Sequence, residues 1–127
     1  MNPALSVMRQ FNPQALVGKE DGYCVMIEDA SDPDGRMYRI EYRSTADGGR
    51  AVAFCLYNPW GRIGMPAAGE EYTVGHVAAD GFLCLGEDTT RELDCSPYDL
   101  EFTIRRARYW CTAFSVLKET GEFPNPA

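Results

Sequence analysis

The chain has 127 residues, of which 45% are hydrophobic and 24% charged, and a formal net charge of −7. This length and apolar content predict one domain, spanning residues 1–127, with a single hydrophobic core. The acidic balance argues against binding to nucleic acid, which needs a basic face, and against an anionic membrane surface. The one basic run, at residues 105–108, is typical of a solvated helix face.

No stretch predicts a targeting or membrane-spanning segment. Residues 1–11 lack the charged start and long apolar run of a signal peptide. The longest apolar run, residues 51–57, is far too short to cross a bilayer. We therefore expect a soluble cytoplasmic protein.

The cysteines predict free thiols rather than disulfides or a metal site. There are five of them, an odd number, and no two form a C-x-x-C pair: Cys24, Cys55, Cys84, Cys95 and Cys111. A structural zinc site would need closely paired ligands, and the chain contains only one histidine. We expect no metal or cofactor, and most of the thiols to be small core residues.

The first half of the chain predicts a short helix followed by three strands. Asn2-Pro3 is typical of a helix start, and Asn12-Pro13 ends that segment. Runs rich in β-forming residues follow at positions 23–28, 37–43 and 51–57, separated by turn signals that contain Asp and Gly. Short polar turns join neighbouring antiparallel strands, so these runs are expected to form a meander.

Two of these strands also carry information about burial. Tyr38, Ile40 and Tyr42 alternate with charged residues, which predicts a half-exposed strand with these three side chains on one face. Residues 51–57 are apolar throughout, which predicts a strand buried on both faces with Cys55 in the core.

The second half predicts a fourth strand, a loop and a long helix. Residues 71–77 are expected to form a short strand that delivers His76 to a central loop, and the polar residues 86–95 a surface loop. Ser96 as a cap and proline at the next position predict a helix start, and the helix is expected to run to Thr120. Gly121 is a natural stop.

An apolar stripe along this helix predicts that it covers the sheet. Its members recur at steps of three and four residues: Leu100, Ile104, Ala107, Trp110, Cys111, Ala113, Phe114 and Leu117. Such a wide stripe indicates core packing. The predicted fold class is α/β of the α+β type, an antiparallel four-stranded meander covered by a long C-terminal helix.

Cys84 is the residue best suited to carry chemistry. Serine-hydrolase, phosphate-loop and dinucleotide-binding motifs are absent. Cys84 follows the Asp80-Gly81 turn signal, and a cysteine is already nucleophilic near neutral pH. His76, the only histidine, lies eight residues earlier and could pair with it. The competing interpretation makes Cys84 a buried strand residue.

The order of these parts resembles the ubiquitin-conjugating enzyme fold. In that family a His-Pro-Asn motif precedes a Gly-x-x-Cys-Leu motif, and the cysteine carries a modifier protein as a thioester. Gly81-Phe82-Leu83-Cys84-Leu85 matches the second motif fully, and His76 matches the first residue of the other motif. Ser96-Pro97 stands where the family's Trp-Ser/Thr-Pro helix start usually falls.

The end of the chain resembles a narrower group. Trp110-Cys-Thr-Ala-Phe114 followed by Glu119-Thr-Gly-Glu-Phe123 is similar to the closing helix of bacterial conjugating-enzyme homologues from antiphage operons. The greatest similarity is to the short type encoded beside a cGAS-like nucleotide synthase in cyclic-oligonucleotide signalling systems (CBASS).

The chain departs from the family pattern at the first motif. Val77 and Ala78 replace the Pro and Asn of His-Pro-Asn. In the family this Asn helps to hold the loop and to stabilise the oxyanion, so another donor must replace it. The histidine of the motif mainly supports the loop, which favours a structural role for His76. Cys95 is a second candidate thiol, because it is expected just before a helix N-terminus, where the thiol pKa is lowered.

The resemblance implies a transferase that carries an acyl group on Cys84, with Cys95 and His76 as further site residues. The implied cargo is the C-terminus of a cGAS-like synthase, which would prime antiphage defence. Two alternatives stay open, conjugation of an operon-encoded ubiquitin-like modifier and a catalytically inactive binding module of the same fold. The chain has no ATP-binding motif, so any activation of the cargo would require a separate activating enzyme.

Overall fold

The computed structural model describes residues 2–61 and 74–124. Its elements are helix α1 (Pro3–Phe11), strands β1 (Leu16–Glu20), β2 (Tyr23–Ser31), β3 (Met37–Ser44) and β4 (Ala51–Tyr57), a 3-10 turn (Leu93–Cys95) and helix α2 (Leu100–Thr120). The strands form one antiparallel sheet in the order β1-β2-β3-β4. The α+β class, the antiparallel four-stranded meander and the long C-terminal helix are thereby confirmed.

The fourth strand of this sheet, however, is not the one predicted over residues 71–77. It is β1, which pairs with β2 through residues such as Gly18 and Val25. Residues 71–73 of the predicted strand lie outside the described residues, Val74 and Gly75 are helical, and Val77 makes only an isolated bridge. β1 is difficult to predict because it is exposed on both faces and has no apolar alternation.

Helix α1 forms for the reason that the sequence suggested. The Asn2 side chain accepts a hydrogen bond from the backbone N–H of Leu5 at 2.9 Å, and Pro3 occupies the first turn, where its missing N–H costs nothing. The helix ends before Asn12 and buries Met8 against the sheet. This short helix is therefore part of the core.

The core lies between the sheet and α2. On β3 the predicted alternation is confirmed, because Tyr38, Ile40 and Tyr42 are completely buried. Cys55 on β4 is also buried, but Leu56 and Tyr57 are exposed, so β4 is covered on both faces only along its first part. All members of the predicted α2 stripe are buried: Leu100, Ile104, Ala107, Trp110, Cys111, Ala113, Phe114 and Leu117.

Helix α2 begins later than the sequence suggested. Asp99 is the N-cap, and its carboxylate accepts from the N–H of Phe102 at 2.8 Å. The predicted cap, Ser96, instead donates its hydroxyl to the carbonyl oxygen of Ala51 at 2.7 Å, which ties the approach to α2 to β4. Gly121 ends the helix in a left-handed conformation, as predicted, with a φ of 86°.

The basic run at residues 105–108 is only partly a solvated face, contrary to the sequence-based interpretation. Arg105 is exposed and pairs with Glu101. Arg108 reaches inward, and its Nη2 donates to Oε1 of the buried Glu28 at 2.7 Å. Burial alone raises the pKa of Glu28, but hydrogen bonds, the largest from Arg108, hold it below its usual value.

No helix in the described part of the chain has the combination of length and apolar character that a bilayer span requires.

Candidate functional site

Cys84 lies on a small hairpin formed by residues 76–84, called here the Cys84 hairpin. Its two arms pair through the Val77–Leu83 bridge, and the N–H of Cys84 donates to the carbonyl oxygen of His76 at 3.0 Å. At the tip, the N–H of Gly81 donates to the carbonyl of Ala78 at 2.9 Å. The backbone therefore places His76 and Cys84 opposite each other.

The hairpin adds to the edge of β4, and Gly81 makes this attachment feasible. The N–H of Cys55 donates to the carbonyl of Gly81 at 2.7 Å, and the N–H of Leu83 donates to Ala53 at 3.0 Å. Gly81 has a φ of 93°, and a Cβ at this position would overlap the carbonyl oxygen of Cys55. The glycine of the Gly-x-x-Cys-Leu motif thus has a physical explanation, the close approach of two backbones.

The loop after the hairpin folds back onto the hairpin tip through Arg91. Arg91 forms an ion pair with Asp80, and its guanidinium lies 4.8 Å from the centroid of the Phe82 ring. The Thr89 hydroxyl oxygen accepts from the N–H of Leu85 at 3.0 Å. These contacts hold the backbone on both sides of Cys84.

Cys84 differs from the core cysteines in its surroundings. Cys24, Cys55 and Cys111 are buried, and burial raises the pKa of Cys55 to about 12 and raises that of Cys111 as well. Such thiols are inert near neutral pH. Cys84 is half-buried, with its Sγ 3.5 Å from the carbonyl oxygen of Gly86, and it lines a cavity. The interpretation of Cys84 as a fully buried strand residue is therefore wrong.

This cavity, called here the Cys84 groove, runs between the hairpin and α2 and has a volume of about 490 Å³. One wall comes from the hairpin and the residues after it: His76, Cys84, Leu85, Gly86 and Glu87. The other wall comes from α2 and its approach: Tyr98, Phe102, Arg106, Tyr109 and Trp110. Phe123, beyond the end of α2, lines it too.

His76 supports the groove through its backbone and its ring. It has a left-handed φ of 57°, and its imidazole packs against the Phe123 ring with centroids 4.4 Å apart. Within the described part of the chain no hydrogen bond joins the imidazole to the Cys84 sulfur. The two residues share one groove, but the link between them is the backbone hydrogen bond.

Burial lowers the pKa of His76, which leads to a prediction about its titration. The midpoint of its ring signals in an NMR titration is expected below the usual value of about 6.5. Because the unfolded chain binds this proton more readily, the contribution of His76 to stability falls as the pH drops from 7 toward that midpoint. The same titration in concentrated urea should return the usual value, and a native midpoint at or above it would contradict the prediction.

Cys95 occupies a different position from the one expected. It is exposed at the end of the 3-10 turn, and it does not line the Cys84 groove. Because α2 starts at Leu100 with Asp99 as its cap, Cys95 lies four residues before the N-cap rather than just before the helix. The helix-dipole argument, which requires a position at the helix N-terminus, therefore does not apply to Cys95.

The α2 wall of the groove was missed by the sequence analysis. Phe102, Arg106 and Tyr109 recur at helical spacing on one side of the apolar stripe, and this pattern was the available signal. Arg106 is half-buried, and its Nε donates to the carbonyl oxygen of Leu85 at 3.2 Å. Trp110 ties the α2 wall to the residue that precedes the Cys84 hairpin, because its indole N–H donates to the carbonyl of Gly75 at 2.8 Å.

The described residues contain no group of three or more His, Cys, Asp or Glu side chains that could hold a metal ion. Comparison of the chain with protein-family models, with curated proteins and with solved structures finds no match.

Proposed function

We propose that this protein is an acyl carrier of the ubiquitin-conjugating type. Cys84 accepts the C-terminal acyl group of a partner protein as a thioester and then passes it to an amine. The observation that carries the proposal is the position of this one sulfur, half-buried on a groove, on a motif that matches Gly-x-x-Cys-Leu throughout. The resemblance favours a cGAS-like nucleotide synthase as the partner and antiphage defence as the biological role.

The arrangement of the fold supports the proposal. A short N-terminal helix, a four-stranded antiparallel meander, a cysteine-bearing segment and a long helix follow one another in the order that this enzyme family uses. The cysteine segment is held by backbone hydrogen bonds to β4, so its position does not depend on flexible side chains. A rigid support of this kind suits a group that must meet a large incoming protein.

The chemistry consists of two exchanges at Cys84. The thiolate attacks the carbonyl carbon of an activated tail, a thioester on an activating enzyme, and the donor's thiol leaves with the proton that Cys84 gave up. In the second exchange the amine attacks the new thioester, an amide bond forms, and Cys84 leaves as a thiolate while the amine releases a proton. Formation of the activated tail needs a separate activating enzyme.

Both exchanges place negative charge on the carbonyl oxygen of the tail, and this charge requires a hydrogen-bond donor. The hydrogen bonds around Cys84 limit which groups can act as that donor. The N–H groups of Cys84 and Leu85 are already engaged, with His76 and Thr89. Since Asn is missing from the first motif and these two N–H groups are engaged, a side chain of the groove can fill the role instead. Arg106 is a cation on the same groove, and we assign the role to it. One such donor is worth about 3 kcal/mol in the transition state.

The adduct itself tests the proposal. The protein is mixed with the candidate synthase and the activating enzyme of the same operon, and analysed on a non-reducing gel and by intact mass. We expect a thiol-labile adduct whose mass is the sum of the two chains less one water, lost completely in Cys84→Ala. Cys95→Ala is the matched control, because Cys95 is accessible but outside the groove.

The outcomes separate the alternatives. An adduct that persists in Cys84→Ala, or that disappears in Cys95→Ala alone, would contradict the assignment of the nucleophile. A mass increase equal to that of a small operon-encoded modifier would replace the synthase by that modifier. Absence of any adduct with fully active partners would leave a binding module.

A further inference from the structure

The chain leaves α2 at Gly121 and continues into the Cys84 groove. Gly121 has a left-handed φ of 86°, and its N–H donates to the carbonyl oxygen of Leu117 at 2.7 Å. Residues 122–124, called here the C-terminal strap, follow. The Phe123 ring of this strap is half-buried and packs against the imidazole of His76, with centroids 4.4 Å apart. A segment outside α2 and the Cys84 hairpin therefore contributes to the lining of the groove.

The contact with His76 places the Phe123 ring next to the reactive part of the groove. The carbonyl oxygen of His76 accepts from the N–H of Cys84 at 3.0 Å, so these two residues face each other across the hairpin. Both line the groove together with Phe123. Burial lowers the pKa of His76, which agrees with an apolar cover over its imidazole. A bulky group that approaches Cys84 from the side of His76 would therefore meet the Phe123 ring.

Few contacts hold the strap in this position. Among the described residues, no hydrogen bond or ion pair joins the strap to the Cys84 hairpin. The hydrogen bonds of Glu122 are to the neighbouring Thr120, at 3.3 Å. What holds the strap is the packing of the half-buried Phe123 ring against His76 and the hydrophobic core. Segments with so few buried contacts and tertiary hydrogen bonds are those that open most readily in a native protein.

We propose that the strap is a displaceable cover of Cys84. The Phe123 ring closes the His76 side of the groove in the free protein, and an entering acyl tail displaces it. The movement takes place after the end of α2, so both walls of the groove keep their positions. The closed strap slows the reaction of the Cys84 thiol with bulky electrophiles. The part played by an acyl tail rests on the function proposed above, whereas the cover over the thiol does not depend on it.

Alkylation of the cysteines tests the cover without any partner protein. The reagent is fluorescein maleimide, and the rate at each cysteine is followed by peptide mass spectrometry. In Phe123→Ala we expect Cys84 to react about fivefold faster than in the wild-type protein, because loss of the ring's partial burial shifts the strap toward its open position. Cys95 is the internal control, since it is exposed outside the groove and should react at the same rate in both proteins.

Further comparisons separate the cover from other causes of reactivity. Phe123→Leu retains an apolar side chain and should give a smaller increase at Cys84. Tyr57→Ala is the matched control variant and should give none, because Tyr57 is an exposed aromatic residue on β4 that does not line the groove. Labelling caused by global unfolding would also reach the buried cysteines, which are expected to stay unlabelled in every variant: Cys24, Cys55 and Cys111.

The titration of His76 gives a second measure of the same contact. Removal of the Phe123 ring exposes the imidazole to water, and this relieves the desolvation that lowers its pKa. The midpoint of the His76 ring signals in Phe123→Ala is therefore expected to rise toward the usual value of about 6.5. Tyr57→Ala should leave the midpoint where it is in the wild-type protein.

Equal alkylation of Cys84 in Phe123→Ala and in the wild-type protein, or an unchanged midpoint of His76, would overturn this inference. Slower formation of the thioester adduct in Phe123→Ala would overturn it too, since the ring would then serve the reaction rather than obstruct it. These outcomes are distinct from a failure of the proposed function. A thioester on Cys84 without any effect of Phe123→Ala on alkylation would leave the carrier role intact and remove the cover. Faster alkylation without any thioester would do the reverse.

Discussion

Replacement of Gly81 by alanine is expected to lower the free energy of unfolding by about 3–5 kcal/mol. A side chain in this left-handed conformation costs about 1–2 kcal/mol by itself. The added Cβ would also overlap the carbonyl oxygen of Cys55, which is backbone and has little freedom to move, and such overpacking costs about 1–3 kcal/mol. Relief of the overlap requires the hairpin to leave β4, which breaks the hydrogen bond from Cys55 to Gly81.

Gly35→Ala is the matched control for this prediction. Gly35 has a similar φ of 84°, but a Cβ there would meet nothing within 4 Å. We therefore expect a loss of only about 1–2 kcal/mol, from the backbone conformation alone. Urea unfolding of both variants measures the difference, which isolates the close approach to Cys55. Equal losses in the two variants would show that Gly81 does not serve this contact.

Replacement of Arg108 by methionine is expected to cost about 3–5 kcal/mol, because it leaves the Glu28 carboxylate buried without its cation. The Glu28 side chain is 1% exposed, so its carboxylate has almost no contact with water that could compensate for the lost guanidinium. The Tyr42 hydroxyl at 2.6 Å and the Asn12 amide at 3.0 Å remain, but neither carries a positive charge. The loss also detaches α2 from the end of α1, since Arg108 donates to the carbonyl of Phe11.

The pH dependence of this loss has a definite sign. In the native protein the pKa of Glu28 is below its usual value of about 4.5, so its ionised form stabilises the fold above that pH. In the variant the buried carboxylate favours its neutral form, so its pKa rises. The difference in unfolding free energy is therefore expected to be largest near pH 7 and to shrink as the pH falls through the raised pKa of the variant and then through the lowered pKa of the native protein.

Arg105→Met controls for the loss of charge from the same helix. Arg105 pairs with Glu101 on the surface, with both side chains more than half exposed. Such a pair contributes less than about 1 kcal/mol. Urea unfolding at pH 7 and pH 4 should separate the two arginines clearly, and similar costs at both positions would contradict the special role of the buried pair.

The parts of the fold that could be predicted from the sequence are those in which burial produces a periodic pattern of apolar residues. Tyr38, Ile40 and Tyr42 alternate with charged residues because one face of β3 is exposed to solvent. The apolar stripe of α2 recurs at helical spacing because one side of that helix covers the sheet. β1 has no such pattern, because its five residues are held by hydrogen bonds to β2 while they remain largely exposed.

Only part of the candidate site could be predicted from the sequence, because some of its residues are close together in the chain and others are not. Cys84 and Gly81 belong to a local motif, and their positions along the chain reveal them. The groove wall at Phe102, Arg106 and Tyr109 lies far along the chain from Cys84, and only the packing of α2 against the hairpin brings them together. The predicted start of α2 was wrong because the Ser96 hydroxyl, which suits a helix cap, instead donates to the carbonyl oxygen of Ala51 on β4.

The hydrogen bond from the Trp110 indole to Gly75 has a consequence for recognition. The Trp110 side chain is 2% exposed, so it is part of the hydrophobic core. The same side chain also fixes the position of α2 relative to the start of the Cys84 hairpin, and so the width of the Cys84 groove. A ligand would therefore enter a groove whose width is determined when the protein folds. Selection by a rigid outline, rather than by closure around the guest, is the mode of discrimination that this architecture favours.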